Sequence, residues 1–163
     1  MIVLNTYLVN APLEQVATFH RQSANMAAIT PPPIIVRMHA APEELLEGDQ
    51  IAFTLWFGPL AVGWQARIKN VSQNGFEDQQ IDGPFQKWTH YHRFNQLDEG
   101  LTEVKDEVHL RLDTKLPNLL IGLGMLLGMP VLFAYRSWKT RRLIESGVNK
   151  ISGAQHEWDR NSA

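Results

Sequence analysis

The strongest pattern in the chain is a strict alternation between Lys87 and Phe94. Trp88, His90, His92 and Phe94 fall on one side, and Lys87, Thr89, Tyr91 and Arg93 on the other. Side chains of a strand point to opposite faces in turn, so this run reads as a strand with one wet and one lined face. Similar alternation predicts strands at Ile2–Val9, Ile34–Ala40, Gln50–Phe57, Ala61–Val71, Phe76–Asp82 and Leu101–Asp113. In the fourth strand Val62, Trp64, Ala66 and Ile68 point inward, and Gln65, Arg67 and Lys69 outward. Between the first two strands, Leu13, Val16, Ala17 and His20 recur at helical spacing, with Pro12 suited to a first turn. A further helical turn or two is expected over Gln22–Ile29, stopped by Pro31-Pro32-Pro33. After a loop at Lys115-Leu116-Pro117-Asn118 the rest reads as helix, its second part from Pro130 to about Ile151.

The predicted fold is therefore α+β: a seven-stranded curved antiparallel sheet, two short helices between strands one and two, and a long C-terminal helix. An antiparallel sheet with one wet face must cover the other, and only the long helix is large enough. Residues 1–152 are expected to form one domain, and 153–163 a polar tail.

Turn chemistry fixes the pairing of the central strands. If Gly83-Pro84-Phe85 is a three-residue loop, Asp82 pairs with Gln86, which sets His90 opposite Asp78, Trp88 opposite Gln80 and His92 opposite Phe76. If Asp98-Glu99-Gly100 is a three-residue loop with Gly100 left-handed, Leu97 pairs with Leu101 and His92 lies opposite Asp106. Both registers keep inward residues facing inward residues, and a one-residue slip breaks that.

Net charge is −2, which gives no general attraction to nucleic acid. The absence of cysteine excludes disulfides, thiol catalysis and cysteine metal sites, and fits a reducing, cytoplasmic compartment. The N-terminus lacks the basic and small-residue features of a secretory signal. Leu116–Tyr135 runs 20 residues without a charge, close to a membrane span in length, and Arg136, Lys139, Arg141 and Arg142 follow. Its prolines and glycines also suit a segment packed closely on a sheet. A buried, pocket-covering segment is the favoured expectation, and peripheral membrane contact through residues 116–142 and a true span stay open. The four bases are expected on a solvated helix face.

Several stretches together resemble a known family: Pro31-Pro32, Leu46-Glu47-Gly48-Asp49, Phe76-Glu77-Asp78-Gln79, Gly83-Pro84-Phe85, Trp88-Thr89-His90-Tyr91-His92-Arg93-Phe94, Asp106-Glu107-Val108 and Phe133-Ala134-Tyr135-Arg136. They resemble the bacterial SRPBCC proteins described as polyketide cyclase/dehydrase-like or START-like, across about residues 5–150. The resemblance implies a helix-grip fold with a deep cavity between sheet and C-terminal helix for a hydrophobic or amphipathic molecule. One departure is the charge-free, glycine-rich segment before Phe133.

The candidate chemistry is a pair of histidine–aspartate contacts on the apolar face, His90 with Asp78 and His92 with Asp106. Directly opposed strand residues have Cβ atoms about 4.5–5.5 Å apart, within hydrogen-bonding reach for these side chains. Such pairs can satisfy one another as a polar core layer, orient a ligand carbonyl or hydroxyl, or act as general acid and base. His90 and His92 are the catalytic candidates if the protein is an enzyme. The expected ligand-binding set is Trp64, Phe76, Asp78, Gln80, Trp88, His90, His92, Phe94, Asp106 and Phe133. Two histidines at i and i+2 beside two aspartates also make a His/carboxylate metal site chemically possible. The flanking tryptophan and Phe94 favour an apolar guest instead, so no metal or cofactor is expected. The proposed ligand is a lipid, terpenoid or polyketide-like molecule. A cyclase- or dehydratase-like enzyme and a membrane-surface lipid-handling protein are the alternatives.

Overall fold

The structure is a computed structural model that describes residues 1–161, with side chains described through residue 147. The side chains of the tail expected from residue 153 lie outside the described residues. The order is β1 (Ile2–Val9), α1 (Leu13–Arg21), α2 (Ala24–Ala28), β2 (Ile35–Ala40), β3 (Gln50–Phe57), β4 (Leu60–Ser72), β5 (Gly75–Asp82), β6 (Phe85–Asp98), β7 (Leu101–Leu112) and α3 (Leu116–Asn161). The seven strands form one antiparallel sheet in the order β1-β7-β6-β5-β4-β3-β2. Each strand from β2 onward lies beside the next in sequence, which short turns permit. β1 crosses to the far edge to pair with β7.

Alternation drives burial as the pattern requires. Val62, Trp64, Ala66 and Ile68 of β4 are buried, and Gly63, Gln65 and Arg67 between them are exposed. Thr102, Val104, Asp106, Val108 and Leu110 of β7 are buried in the same phase. A fully buried Val, Ile or Leu contributes about 1.5–3 kcal/mol, so this inner face supplies much of the drive to fold. α1 adds Leu13, Val16 and Ala17 to the same core. α3 approaches β1, β7 and β6 most closely, so the inner face of β2–β5 is not sealed by its backbone.

Two glycines are tied to close approaches. Gly75 opens β5 at φ +144, where a Cβ would collide with the carbonyl oxygen of His92. Gly122 of α3 lies close against the sheet: a Cβ there would stand 3.0 Å from Leu112 Cδ2 and 3.4 Å from Phe85. Gly124 and Gly128 have open space where a Cβ would be, so the glycine-rich segment is only partly a packing face.

The structure departs from the sequence reading in four places. Helix α3 already begins at Leu116, and Pro117 sits in its first turn, where a missing N–H costs nothing. At the β6–β7 hairpin Asp98, not Leu97, pairs with Leu101; a register shift between Gln96 and Asp98 absorbs the extra residue, and Gly100 is not left-handed. β5–β6 pairing ends at Gln79 opposite Thr89, so Gln80 does not face Trp88 across a ladder. The charge-free segment is split: Gly122 and Met129 are buried, whereas Leu116, Leu120, Leu123, Leu127 and Val131 are exposed.

Candidate functional site

A cavity of about 510 Å³ lies between the inner face of β2–β5, the α1–α2 region with the Pro31–Pro33 connection, and α3. Its wall is mainly apolar, with Phe53, Trp64, Phe76, Trp88, Met125 and Leu132 among the residues that form it. This size suits a small organic molecule. Asp78, His90, His92 and Asp106 reach it from the sheet, His20 from α1 and Arg136 from α3.

Away from the turns the predicted pairing is observed: Asp78 faces His90, Phe76 faces His92, and His92 faces Asp106. The side chains do more than pair across the ladder. His90 Nε2 stands 3.1 Å from Asp106 Oδ1, and His92 Nε2 stands 3.3 Å from Asp78 Oδ2. His90 Nδ1 is also 3.3 Å from Asp78 Oδ2, and His92 Nδ1 is 3.2 Å from Asp106 Oδ1. The four residues thus close a ring in which each imidazole bridges both carboxylates. The expected pairs, His90 with Asp78 and His92 with Asp106, are thus in contact, and the well-aligned hydrogen bonds are the additional diagonal ones, His90 to Asp106 and His92 to Asp78. The His92 Nδ1 approach is off-line and leaves that atom without a formal hydrogen bond. The two rings lie with centroids 3.9 Å apart, because residues two apart on one strand face share a side.

Further contacts hold the ring. Trp88 Nε1–H donates to Asp78 Oδ1 at 3.2 Å. Asn5 Nδ2 approaches Asp106 Oδ2 at 3.4 Å and donates to Ser137 Oγ at 3.0 Å, linking β1, β7 and α3. Phe76 stacks on His92 at 4.4 Å, and Phe133 meets His90 edge-on at 5.8 Å. Burial alone would raise Asp78 and Asp106, but hydrogen bonds and charge from His90 and His92 overcome it and hold both well below the usual carboxylate range. Burial alone would lower His90, and its contacts with Asp106 and Asp78 overcome that and raise it to about 9.

A second polar pair borders the cavity. His20 Nδ1–H donates to the Val16 carbonyl at 2.8 Å, which leaves Nε2 to accept from the Tyr7 hydroxyl at 3.4 Å. Burial lowers His20 to about 4, and burial foremost raises Tyr7 above its ordinary range. His20 also lies against Phe94, with centroids 4.9 Å apart.

Of the ten residues expected to bind ligand, Trp64, Phe76, Asp78, Trp88, His90, His92 and Asp106 line the cavity. Gln80, Phe94 and Phe133 do not. Gln80 instead braces the β5–β6 turn, donating to the Phe85 carbonyl at 2.7 Å and accepting from the Phe85 N–H at 3.4 Å. Phe94 and Phe133 are buried behind the wall. Sequence reasoning missed Asn5, Tyr7, His20 and Arg136. His20 was visible as the polar member of an apolar helical stripe, and Asn5 and Tyr7 as inward positions of β1. Arg136, expected in solvent with the three bases after it, lines the cavity, and its Nε is buried with no hydrogen-bond partner among the described residues.

Comparison by sequence finds no matching family model and no matching curated protein. Comparison of folds finds many matches. A protein from Thermus thermophilus superposes with a TM-score of 0.70 at 12% identity, covering 90% of this chain and 99% of that one. The Zhui aromatase/cyclase from a Streptomyces species, R1128, does so at 0.68 and 15% identity, covering 91% and 95%. A START superfamily protein from Mycobacterium smegmatis gives 0.63 and 11%, covering 89% and 97%. The chain has the helix-grip fold. The likeness extends over nearly the whole of each of these chains.

Proposed function

We propose that this helix-grip protein binds a hydrophobic or amphipathic small molecule, of lipid, terpenoid or polyketide-like character, between its sheet and α3. The observation that carries this reading is a mainly apolar cavity of about 510 Å³ whose sheet side carries a compact polar cluster, the His90–His92–Asp78–Asp106 ring. At about 25 cal/mol per Å² of apolar surface removed from water, burying roughly 300 Å² of a guest contributes on the order of 7 kcal/mol before binding costs. The ring supplies direction: a ligand hydroxyl or carbonyl finds donors and acceptors there. The test is displacement of a fluorescent apolar probe, 1-anilinonaphthalene-8-sulfonate, by candidate lipids and terpenoids. Saturable displacement by at least one class supports the reading, and no probe binding by folded protein refutes it.

A catalytic version of this reading draws on the same ring. His92 lies at the cavity wall with an aspartate on each side, the arrangement of a general acid/base, and the Zhui aromatase/cyclase shares the fold. His90→Gln and His92→Gln separate the two versions: turnover lost with binding kept marks an enzyme, and binding lost marks a carrier.

A specific observation favours lipid as the guest, delivered at an anionic membrane surface. Leu116–Gly147 is long and apolar enough to cross a membrane, yet only 17% of its apolar window is buried. Leu116, Leu120, Leu127 and Val131 form one exposed stripe, with Leu127 81% and Val131 69% accessible. No acidic residue interrupts it before Glu145, and half-exposed Trp138 follows with Lys139 and Arg142 against its ring, a pairing suited to a headgroup layer. Val131 also borders the cavity, so a guest has a short path from the surface. Such a role goes with a cytoplasmic location, which cell fractionation tests. Co-sedimentation with vesicles containing phosphatidylserine at low salt tests the contact; Leu127→Glu and Val131→Glu should abolish it without unfolding the protein, and no sedimentation by the wild type removes the reading.

A further inference from the structure

We propose that Asp78 Oδ2, His90 Nδ1 and His92 Nε2 form a two-histidine, one-carboxylate site for a divalent transition-metal ion of the zinc or iron(II) class, with Asp106 as its outer carboxylate. The proposal is independent of which organic guest fills the cavity.

Asp78 Oδ2 stands 3.3 Å from His90 Nδ1 and 3.3 Å from His92 Nε2. One ligand atom from each residue lies within 4.8 Å of the others. An ion with bonds of roughly 2.0–2.1 Å holds neighbouring donors roughly 2.9–3.4 Å apart, the lower figure for octahedral and the upper for tetrahedral angles. The carboxylate oxygen already stands at that spacing from both nitrogens.

A shared carboxylate lies behind the donors. The remaining nitrogen of each ring faces a single atom: Asp106 Oδ1 is 3.1 Å from His90 Nε2 and 3.2 Å from His92 Nδ1. With the protons placed on His90 Nε2 and His92 Nδ1, the nitrogens nearer Asp106, His90 Nδ1 and His92 Nε2 keep lone pairs and lie beside Asp78. An outer carboxylate that orients ligating imidazoles is the usual support of a protein metal site. The outer contacts continue, with Trp88 donating to Asp78 Oδ1 and Asn5 to Asp106 Oδ2. A slight turn of the His92 ring would align its off-line contact with Asp106.

Asp106 is nearly closed off, its side chain 6% accessible, whereas Asp78 is 19% accessible at the cavity wall. The metal face of the ring is therefore the one nearer the cavity, where an ion keeps positions open for water or for an oxygen of the guest. Two imidazoles and one carboxylate suit zinc, iron(II) and cobalt(II) better than calcium or magnesium. The rival is a self-satisfied polar layer in which protons fill the place of the ion.

The test titrates chelator-treated full-length protein with cobalt(II) chloride, followed by visible absorption, and with zinc chloride by calorimetry. One equivalent binding with a dissociation constant of about 1 µM or tighter is expected. Asp78→Asn and His92→Gln should each weaken binding by about 100-fold or more, and Asp106→Asn by about 10–100-fold. His109→Gln, on the outer sheet face beside Glu107, should leave it unchanged. Circular dichroism checks that each variant is folded, and wild-type titration stands even if one is not. Absence of saturable cobalt binding by the wild type overturns the proposal, as does binding that survives His92→Gln or is lost in His109→Gln.

Discussion

Acid should destabilise this protein between pH 6.5 and 4.5 through one residue, His20. Its ring accepts from Tyr7 and donates to the Val16 carbonyl, so protonation would break the first bond and place a charge at the cavity wall near Arg136. Burial takes its pKa from 6.5 to about 4. The unfolded chain therefore binds a proton below pH 6.5 that the folded chain refuses until about pH 4. The contribution of His20 is complete above pH 6.5 and falls as the pH drops through that interval, by about 1.4 kcal/mol per pH unit, or roughly 2.5 kcal/mol by pH 4.5. The other buried shifted groups leave the window clear, and surface Glu107, held below 4.5 by His109, begins to lose its contribution only at the lower edge. His90, raised to about 9, contributes in full below 6.5 and loses its contribution progressively as pH rises from 6.5 to about 9. Asp78 and Asp106, held below 3.8, lose theirs only at still lower pH. The assay is urea denaturation followed by circular dichroism at pH 7, 5.5 and 4.5, comparing wild type with a Tyr7→Phe/His20→Phe double variant that keeps both ring volumes. The midpoint should fall with pH in the wild type at constant slope, and clearly less in the double variant. Equal falls in the two proteins would refute the assignment.

Other outcomes follow from the same contacts. Asp106→Asn leaves His90 buried with one charged partner removed and should cost about 3–5 kcal/mol, read by denaturation in chelator-containing buffer. Gly75→Ala meets both a left-handed backbone and the His92 carbonyl, so thermal denaturation should show a loss of about 3 kcal/mol or more, or no folded protein. Gly128→Phe has open space at its Cβ and borders the cavity; probe affinity should drop at least about tenfold while stability changes by less than about 1 kcal/mol, since glycine within a helix is itself unfavourable. Gly122→Ala should instead destabilise, because Leu112 and Phe85 must give way.

What the sequence made legible is what short turns and period-two alternation determine. The loops at Gly83-Pro84 and Glu99-Gly100 are short enough to fix register, so the meeting of His90, His92, Asp78 and Asp106 could be counted out. Their diagonal hydrogen bonds could not, because ring stacking and the depth of each carboxylate decide them. Asn5 reaches Asp106 across a pairing of strands 101 positions apart, with no hairpin to set its register. His20 and Arg136 reach the cavity through helix docking, which no local pattern encodes. The α3 segment was legible in part: it covers the cavity through Met125, Gly128 and Leu132, as a pocket-covering segment should, yet a charge-free stretch does not show which side is left in water, and here the leucine stripe faces outward.

The central claim is that the cavity holds an apolar guest. Native mass spectrometry of protein purified from its own host, followed by organic extraction, tests it most directly. The account predicts a species heavier than the bare chain by one small organic molecule, lost on extraction and absent or much reduced in Gly128→Phe. A wild-type spectrum showing only the bare chain under conditions that keep the protein folded, together with no uptake of added lipids or terpenoids, would contradict it.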